Sequence, residues 1–112
     1  MDIQYKIFYF DFLLMRFVYM VRCSDETLYT GIAKDLEKRI SDHNMSSVGA
    51  KYTKSRRPVT LVRHKKVKDR NTASKEELRI KALGRAKKEE IVHLKKKKYL
   101  SWSGLTSRRK SV

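Results

Sequence analysis

Between Asp35 and Asn44 the chain reads as a helix that places two polar side chains on the face it should bury. At about 100° per residue, Leu36, Arg39, Ile40 and His43 fall within one arc of roughly 100°, and Glu37, Lys38, Ser41 and Asp42 take the wet faces. A guanidinium on an inward stripe needs an anionic partner, because an unpaired buried charge is costly. That partner is either a carboxylate of the protein or a bound phosphate, whose oxygens match arginine's planar fork of donors. The plainer alternative is that Arg39 lies along the flank and reaches water with its head group. His43 has an ordinary pKa suited to proton transfer near neutrality. A second group, Lys51, Lys54, Arg56 and Arg57 with Tyr52 among them, is either a solvated loop or a track for phosphates, with Tyr52 free to stack on an exposed base.

The charge balance narrows the partner. Of 112 residues, 28 are Lys or Arg and 12 are Asp or Glu, which gives +16. Met1 to Val62 carries 10 basic and 7 acidic residues, and Arg63 to Val112 carries 18 and 5, so the excess sits in the second half. A field of this sign favours a polyanion, nucleic acid before an anionic membrane surface. The length allows one domain with a modest core. Cys23 is the single cysteine, which excludes an intrachain disulfide or a cysteine-based zinc site and fits a cytoplasmic protein. No P-loop, dinucleotide glycine motif or Cys/His metal spacing is present.

The elements that position these residues follow from pattern. Phe17-Val18-Tyr19-Met20-Val21 and Thr27-Leu28-Tyr29-Thr30-Gly31-Ile32 are β-branched and aromatic runs around a polar connection at Cys23 to Glu26, so a β-hairpin is expected. Alternation puts Phe17, Tyr19 and Val21 on one face. Asp35 begins the first helix as cap or first-turn anion. Met45 to Pro58 reads as a loop, Val59 to His64 as a third strand with Pro58 at its head, Thr72 or Ser74 to Leu83 as a second helix stopped by Gly84, and Arg85 to Tyr99 as a third. Glu77 lies three residues after Ser74, the spacing of a capping box, and periodicity does not choose between Glu76 and Glu77 as an inward carboxylate. His64 and His93 are expected at the surface. Residues 1–16, interrupted by Lys6 and Asp11, suit neither a membrane span nor a secretory signal, and no stable membrane association is expected. They read as an extension or an added edge strand, with Met15 an alternative start.

The ordered series Val18-Tyr19-Met20, Tyr29-Thr30-Gly31, Arg39, His43, Gly49-Ala50-Lys51-Tyr52-Thr53, Arg57-Pro58-Val59 and Ala73 to Lys81 resembles the GIY-YIG nuclease superfamily, in its small stand-alone single-domain branch. The likeness spans Phe17 to Ile91. Val18 and Phe17 depart from the Ile and Gly of the first tripeptide, and Thr30 from the Ile of the second. The resemblance implies an α+β fold, a small mixed sheet of three or more strands flanked by about three helices. It implies an N-terminal extension at 1–16, a nuclease domain at 17–94 and a basic tail at 95–112. It also implies a metal-dependent endonuclease using one Mg²⁺ or Mn²⁺ ion, with DNA preferred over RNA and specificity low or drawn from substrate structure or a protein partner. Catalytic roles fall on Tyr19, Tyr29, Arg39, His43 and Glu77, with Glu77 holding the metal, Gly31 structural at the site, and Tyr19 or His43 as base. A guanidinium and a metal beside Tyr19 would favour its phenolate. The competing class is a basic nucleic-acid-binding protein without catalysis.

Overall fold

The computed structural model describes residues 12–93; the expectations for residues 1–11, for Lys95 to Lys98 and for the tail lie outside them. Among the described residues the main unit contains β1 Arg16–Arg22, β2 Leu28–Ala33, α1 Leu36–Met45, α2 Lys51–Lys54, β3 Thr60–Val67 and α3 Arg70–Lys81. A second unit begins at Leu83 and carries a helix over residues 85–93.

The sheet order is β2-β1-β3, and both pairings are antiparallel. The sheet is therefore antiparallel rather than mixed: the segment through α1 and α2 carries the chain to the far side of β1, where β3 enters in the direction opposite to it. Val21 pairs with Tyr29 and Tyr19 with Gly31, which puts these four on one face, as the alternation of the hairpin requires. Tyr19, Val21, Cys23, Ala33 and Val59 bury together there, with Tyr29, Leu36, Ile40 and Leu61 packed against them. Val18 and Met20 point to the opposite face and are fully buried, as are Ala73 and Ile80 of α3. Burial of each large aliphatic side chain contributes about 1.5–3 kcal/mol. A register shift between Met20 and Val21 leaves Val62 outside the Cα pairing, so Leu61 opposes Val21 and Arg63 opposes Met20.

The helix ends have local causes. The Asp35 carboxylate accepts from the Lys38 amide at 3.1 Å and caps α1. The Asp69 carboxylate accepts from the Thr72 amide at 2.8 Å and starts α3 at Arg70, earlier than the expected Thr72 or Ser74. That corrects the capping-box reading: Ser74 and Glu77 lie inside the helix, and Glu77 is not a cap residue. The expected loop at Met45 to Pro58 contains α2. The strand continues past His64 to Val67, with His64, Lys65 and Lys66 exposed, as suits a charged edge strand.

Candidate active site

Tyr19 stands at the centre. It is 1% exposed, although its phenol reaches across β2, and Gly31 is what admits it: a Cβ there would lie 2.5 Å from Tyr19 Oη and 2.6 Å from Cζ. Two residues of α1 meet the hydroxyl. His43 Nε2 is 2.6 Å from Tyr19 Oη, and Arg39 Nε donates to the same oxygen at 3.3 Å. Both lie on the stripe the helix period indicates, one turn apart. Arg39 Nη1 donates to the Val48 carbonyl at 3.1 Å, and Nη2 makes no hydrogen bond among the described residues. The inward arginine is thus held by a phenol and a backbone carbonyl rather than by a carboxylate.

His43 is 0% exposed and its ring is wedged edge-on between Tyr19 and Tyr29, with centroids 5.6 and 5.4 Å away. Its other nitrogen, Nδ1, lies 2.8 Å from Thr53 Oγ1. Burial, reinforced by the positive charge of Arg39, pushes the imidazole down from its ordinary 6.5 to about 4, so it is neutral at physiological pH. Burial also raises the Tyr19 phenol above its ordinary 10.0, outweighing the hydrogen bond and charge of Arg39. The guanidinium acts toward the phenolate as expected, but burial outweighs it and the resting group is a neutral phenol.

The two adjacent carboxylates of α3 separate cleanly. Glu76 accepts two bonds from Arg79, at 2.6 and 3.1 Å, and this pairing lowers its pKa. Glu77 makes a longer ion pair with Lys81, at 3.5 Å, and its charge is felt by the Tyr19 phenol. Lys81 Nζ also lies 5.7 Å from the centroid of the Tyr29 ring. Among the described residues no three His, Cys, Asp or Glu groups gather into a metal cluster. One carboxylate suffices for a hard divalent cation of the Mg²⁺ type, which keeps most of its shell as water and substrate phosphate. Glu77, half-buried and held by one long ion pair, fits that requirement better than Glu76.

The basic group around α2 divides in two. Lys51 and Lys54 are exposed. Arg57 instead turns its Nε and Nη2 onto the carbonyls of Asp42, His43 and Ser46, satisfying the open C-terminal end of α1. Arg56 pairs with Asp25 at 2.9 Å, donates to the Tyr52 carbonyl at 2.8 Å and lies 3.9 Å from the centroid of the Tyr52 ring. Tyr52 is also stacked on Tyr29, with centroids 5.8 Å apart and the rings 20° from parallel. Tyr52 is 38% exposed, so its ring is partly engaged by Tyr29 and Arg56 and partly open to solvent. Arg57 braces α1, while Arg56 stays partly exposed at the rim. Sequence reasoning missed Thr53, buried at 0% and joined to His43. Its signal was a hydroxyl three residues after Ala50, the spacing at which a side chain closes onto its own turn.

The geometry agrees with the comparisons to known proteins. Residues 15–90 match the model of the GIY-YIG catalytic domain. The UPF0213 protein DP2720 of Desulfotalea psychrophila is 49% identical over 72% of this chain and 74% of its own length. The UPF0213 protein SSP2268 of Staphylococcus saprophyticus is 49% identical over 68% of this chain and 92% of its own. The solution NMR structure of the UPF0213 protein BH0048 from Bacillus halodurans is similar with a TM-score of 0.50 and 39% identity, over 73% of this chain and 86% of that one. On this evidence the chain belongs to the GIY-YIG nuclease family, as a small single-domain member.

Proposed function

We propose that the protein is an endonuclease that hydrolyses phosphodiester bonds of DNA with one divalent ion, Mg²⁺ or Mn²⁺, held by Glu77. The observation that carries this reading is the double engagement of one buried phenol, by Arg39 Nε at 3.3 Å and His43 Nε2 at 2.6 Å. Arg39 keeps Nη2 for a phosphoryl oxygen, which matches its planar fork of donors. When bound, the ion supplies Lewis-acid polarisation of the phosphate and charge relief for the leaving alkoxide.

Tyr19 takes the proton of the attacking water as it passes its own to His43. Both ring nitrogens of His43 are engaged, Nε2 by Tyr19 and Nδ1 by Thr53, so a proton reaches it through the phenol, and its depressed pKa makes it a weak base alone. Transfer through the phenol in one concerted movement avoids accumulating a free phenolate and places the proton on His43. Tyr29 orients the phosphate or the water.

Exposed Lys51 and Lys54 grip the backbone of the substrate. Specificity is then low, or comes from substrate structure or a protein partner. A buried free thiol at Cys23 suits the cytoplasm, and among the described residues no helix is long and apolar enough to cross a membrane.

The test is Glu77→Ala on a panel of nicked, branched and single-stranded substrates. Metal-dependent nicking is expected to disappear while binding persists and weakens steeply with salt. Wild-type protein that binds but never nicks under Mg²⁺ or Mn²⁺ would be a basic nucleic-acid binder without catalysis.

A further inference from the structure

Thr53 is fully buried at the end of a hydrogen-bonded line that starts at the phenol. Tyr19 Oη lies 2.6 Å from His43 Nε2, His43 Nδ1 lies 2.8 Å from Thr53 Oγ1, and Thr53 Oγ1 lies 2.9 Å from the Ala50 carbonyl oxygen. A carbonyl only accepts, and threonine has one hydroxyl proton. That proton goes either to Ala50 or to His43 Nδ1, and each choice fixes the protons along the whole line.

In the first arrangement Thr53 donates to Ala50, His43 Nδ1–H donates to Thr53, and Nε2 is bare. Tyr19 then donates to Nε2 and accepts from Arg39 Nε, so every proton has an acceptor. In the second, Thr53 donates to Nδ1 and Nε2–H donates to Tyr19 Oη, which also receives Arg39 Nε. The phenolic proton is then left without an acceptor among the described residues, on a side chain 1% exposed. An orphaned buried donor lowers a population by roughly ten- to a hundredfold. The first arrangement wins.

We propose that Thr53 is a positioning residue: by accepting from His43 Nδ1 it holds the imidazole as the Nδ1–H tautomer, which leaves Nε2 bare to receive the Tyr19 proton. The hydrogen bond on one ring nitrogen decides which nitrogen carries the proton. The catalytic consequence rests on the nuclease reading above. There the water proton passes to Tyr19 Oη, the phenolic proton passes to His43 Nε2, and the imidazolium keeps its Nδ1–H on Thr53, so one proton is gained at the site and one hydroxide is delivered to phosphorus. Thr53 serves this role from α2, a single turn whose third residue closes onto the carbonyl three positions back.

The experiment is long-range ¹H–¹⁵N correlation NMR at neutral pH on the full chain labelled with ¹⁵N-histidine, with His64→Gln and His93→Gln leaving only the His43 signals. Wild type is expected to show a pyrrole-type Nδ1 and a pyridine-type Nε2. Thr53→Ser retains this pattern, and the near-isosteric Thr53→Val shifts it toward Nε2–H. A wild-type spectrum of the Nε2–H form overturns the proposal, as does a Thr53→Val spectrum unchanged from wild type. Should Thr53→Val fail to fold, the wild-type and Thr53→Ser spectra still decide the tautomer. In nicking assays Thr53→Val is expected to lose about tenfold in kcat with KM unchanged, and Thr53→Ser to restore it. The expected spectra in a protein that never nicks would leave the tautomer assignment standing and retire the nuclease reading instead.

Discussion

The line Tyr19–His43–Thr53 and the stack Arg56–Tyr52–Tyr29–Lys81 meet at one residue and are built on opposite principles. The line is buried, its members are neutral, and burial drives both titratable groups away from their charged forms, the phenol upward and the imidazole down to about 4. The stack sits on the rim, where a guanidinium lies 3.9 Å from one ring and an ammonium 5.7 Å from the next. Proton transfer needs fixed distances in a low dielectric, because hydrogen bonds there are strong and their loss is expensive. Gripping a polyanion needs charge that reaches solvent, at the cost of screening by salt. Tyr29 joins the two regions, edge-on to His43 and stacked on Tyr52. The difference teaches that the interior should answer to shape and pH, and the rim to ionic strength.

The largest effect is expected from Gly31→Ala. The added methyl would meet Tyr19 Oη at 2.5 Å and Cζ at 2.6 Å, and the ring has no free direction because Arg39 and His43 both hold its hydroxyl. Overpacking of this kind costs about 1–3 kcal/mol. Displacing the phenol by about 1 Å should reduce nicking on the order of a hundredfold. Denaturant unfolding and single-turnover nicking read the two losses. A variant with wild-type activity would show that the phenol is not held in place.

Next is acid. The folded pKa of His43 lies below the unfolded one, so below about 6.5 the unfolded chain takes up a proton that the native chain refuses until near 4. The stability this group contributes is fully present above the unfolded pKa and is lost as pH falls through that window. Its ceiling is about 3 kcal/mol. Urea unfolding at steps from neutral pH down to about 4.5 should show a steeper loss for wild type than for His43→Gln. Parallel curves would mean that the imidazole is not kept neutral by burial.

Much of this contrast was legible in the sequence. The hairpin and the Leu36, Arg39, Ile40, His43 stripe follow from periods of 2 and 3.6, which are local properties of the chain. The start of α3 was not legible, because Asp69 sits in the charged run Lys68-Asp69-Arg70, which gives no periodicity to mark a cap. Nor was the end of β3, whose outward lysines look like a loop and instead guard an edge. Between Glu76 and Glu77 the helix period made no choice and only the family resemblance did; the pairing of Glu76 with Arg79 is a side-chain contact that periodicity does not show. The inward turn of Arg57 is a tertiary contact spanning 11 to 15 residues, and composition alone made it look like a phosphate ligand.

The smallest effect is expected at Asp25, and it is the sharpest control. Its carboxylate accepts from the Thr27 hydroxyl at 2.6 Å, the Thr27 amide at 3.1 Å and Arg56 Nε at 2.9 Å, and the Thr27 hydroxyl is first among the contacts that hold its pKa below the ordinary carboxylate value. Two of these bonds close a local turn; the third crosses 31 residues to brace the stack. Asp25→Asn keeps the shape and an acceptor oxygen and removes the charge opposite Arg56. Because the pair is exposed, the unfolding midpoint should fall only slightly, and the difference from wild type should vanish in about 1 M salt. Nicking should change by less than about twofold, since Arg56 keeps its bond to the Tyr52 carbonyl and its place over the ring. A loss that is large and indifferent to salt would mean that the rim depends on its ion pair as rigidly as the interior depends on its phenol. The two regions would then have to be treated as one continuous site.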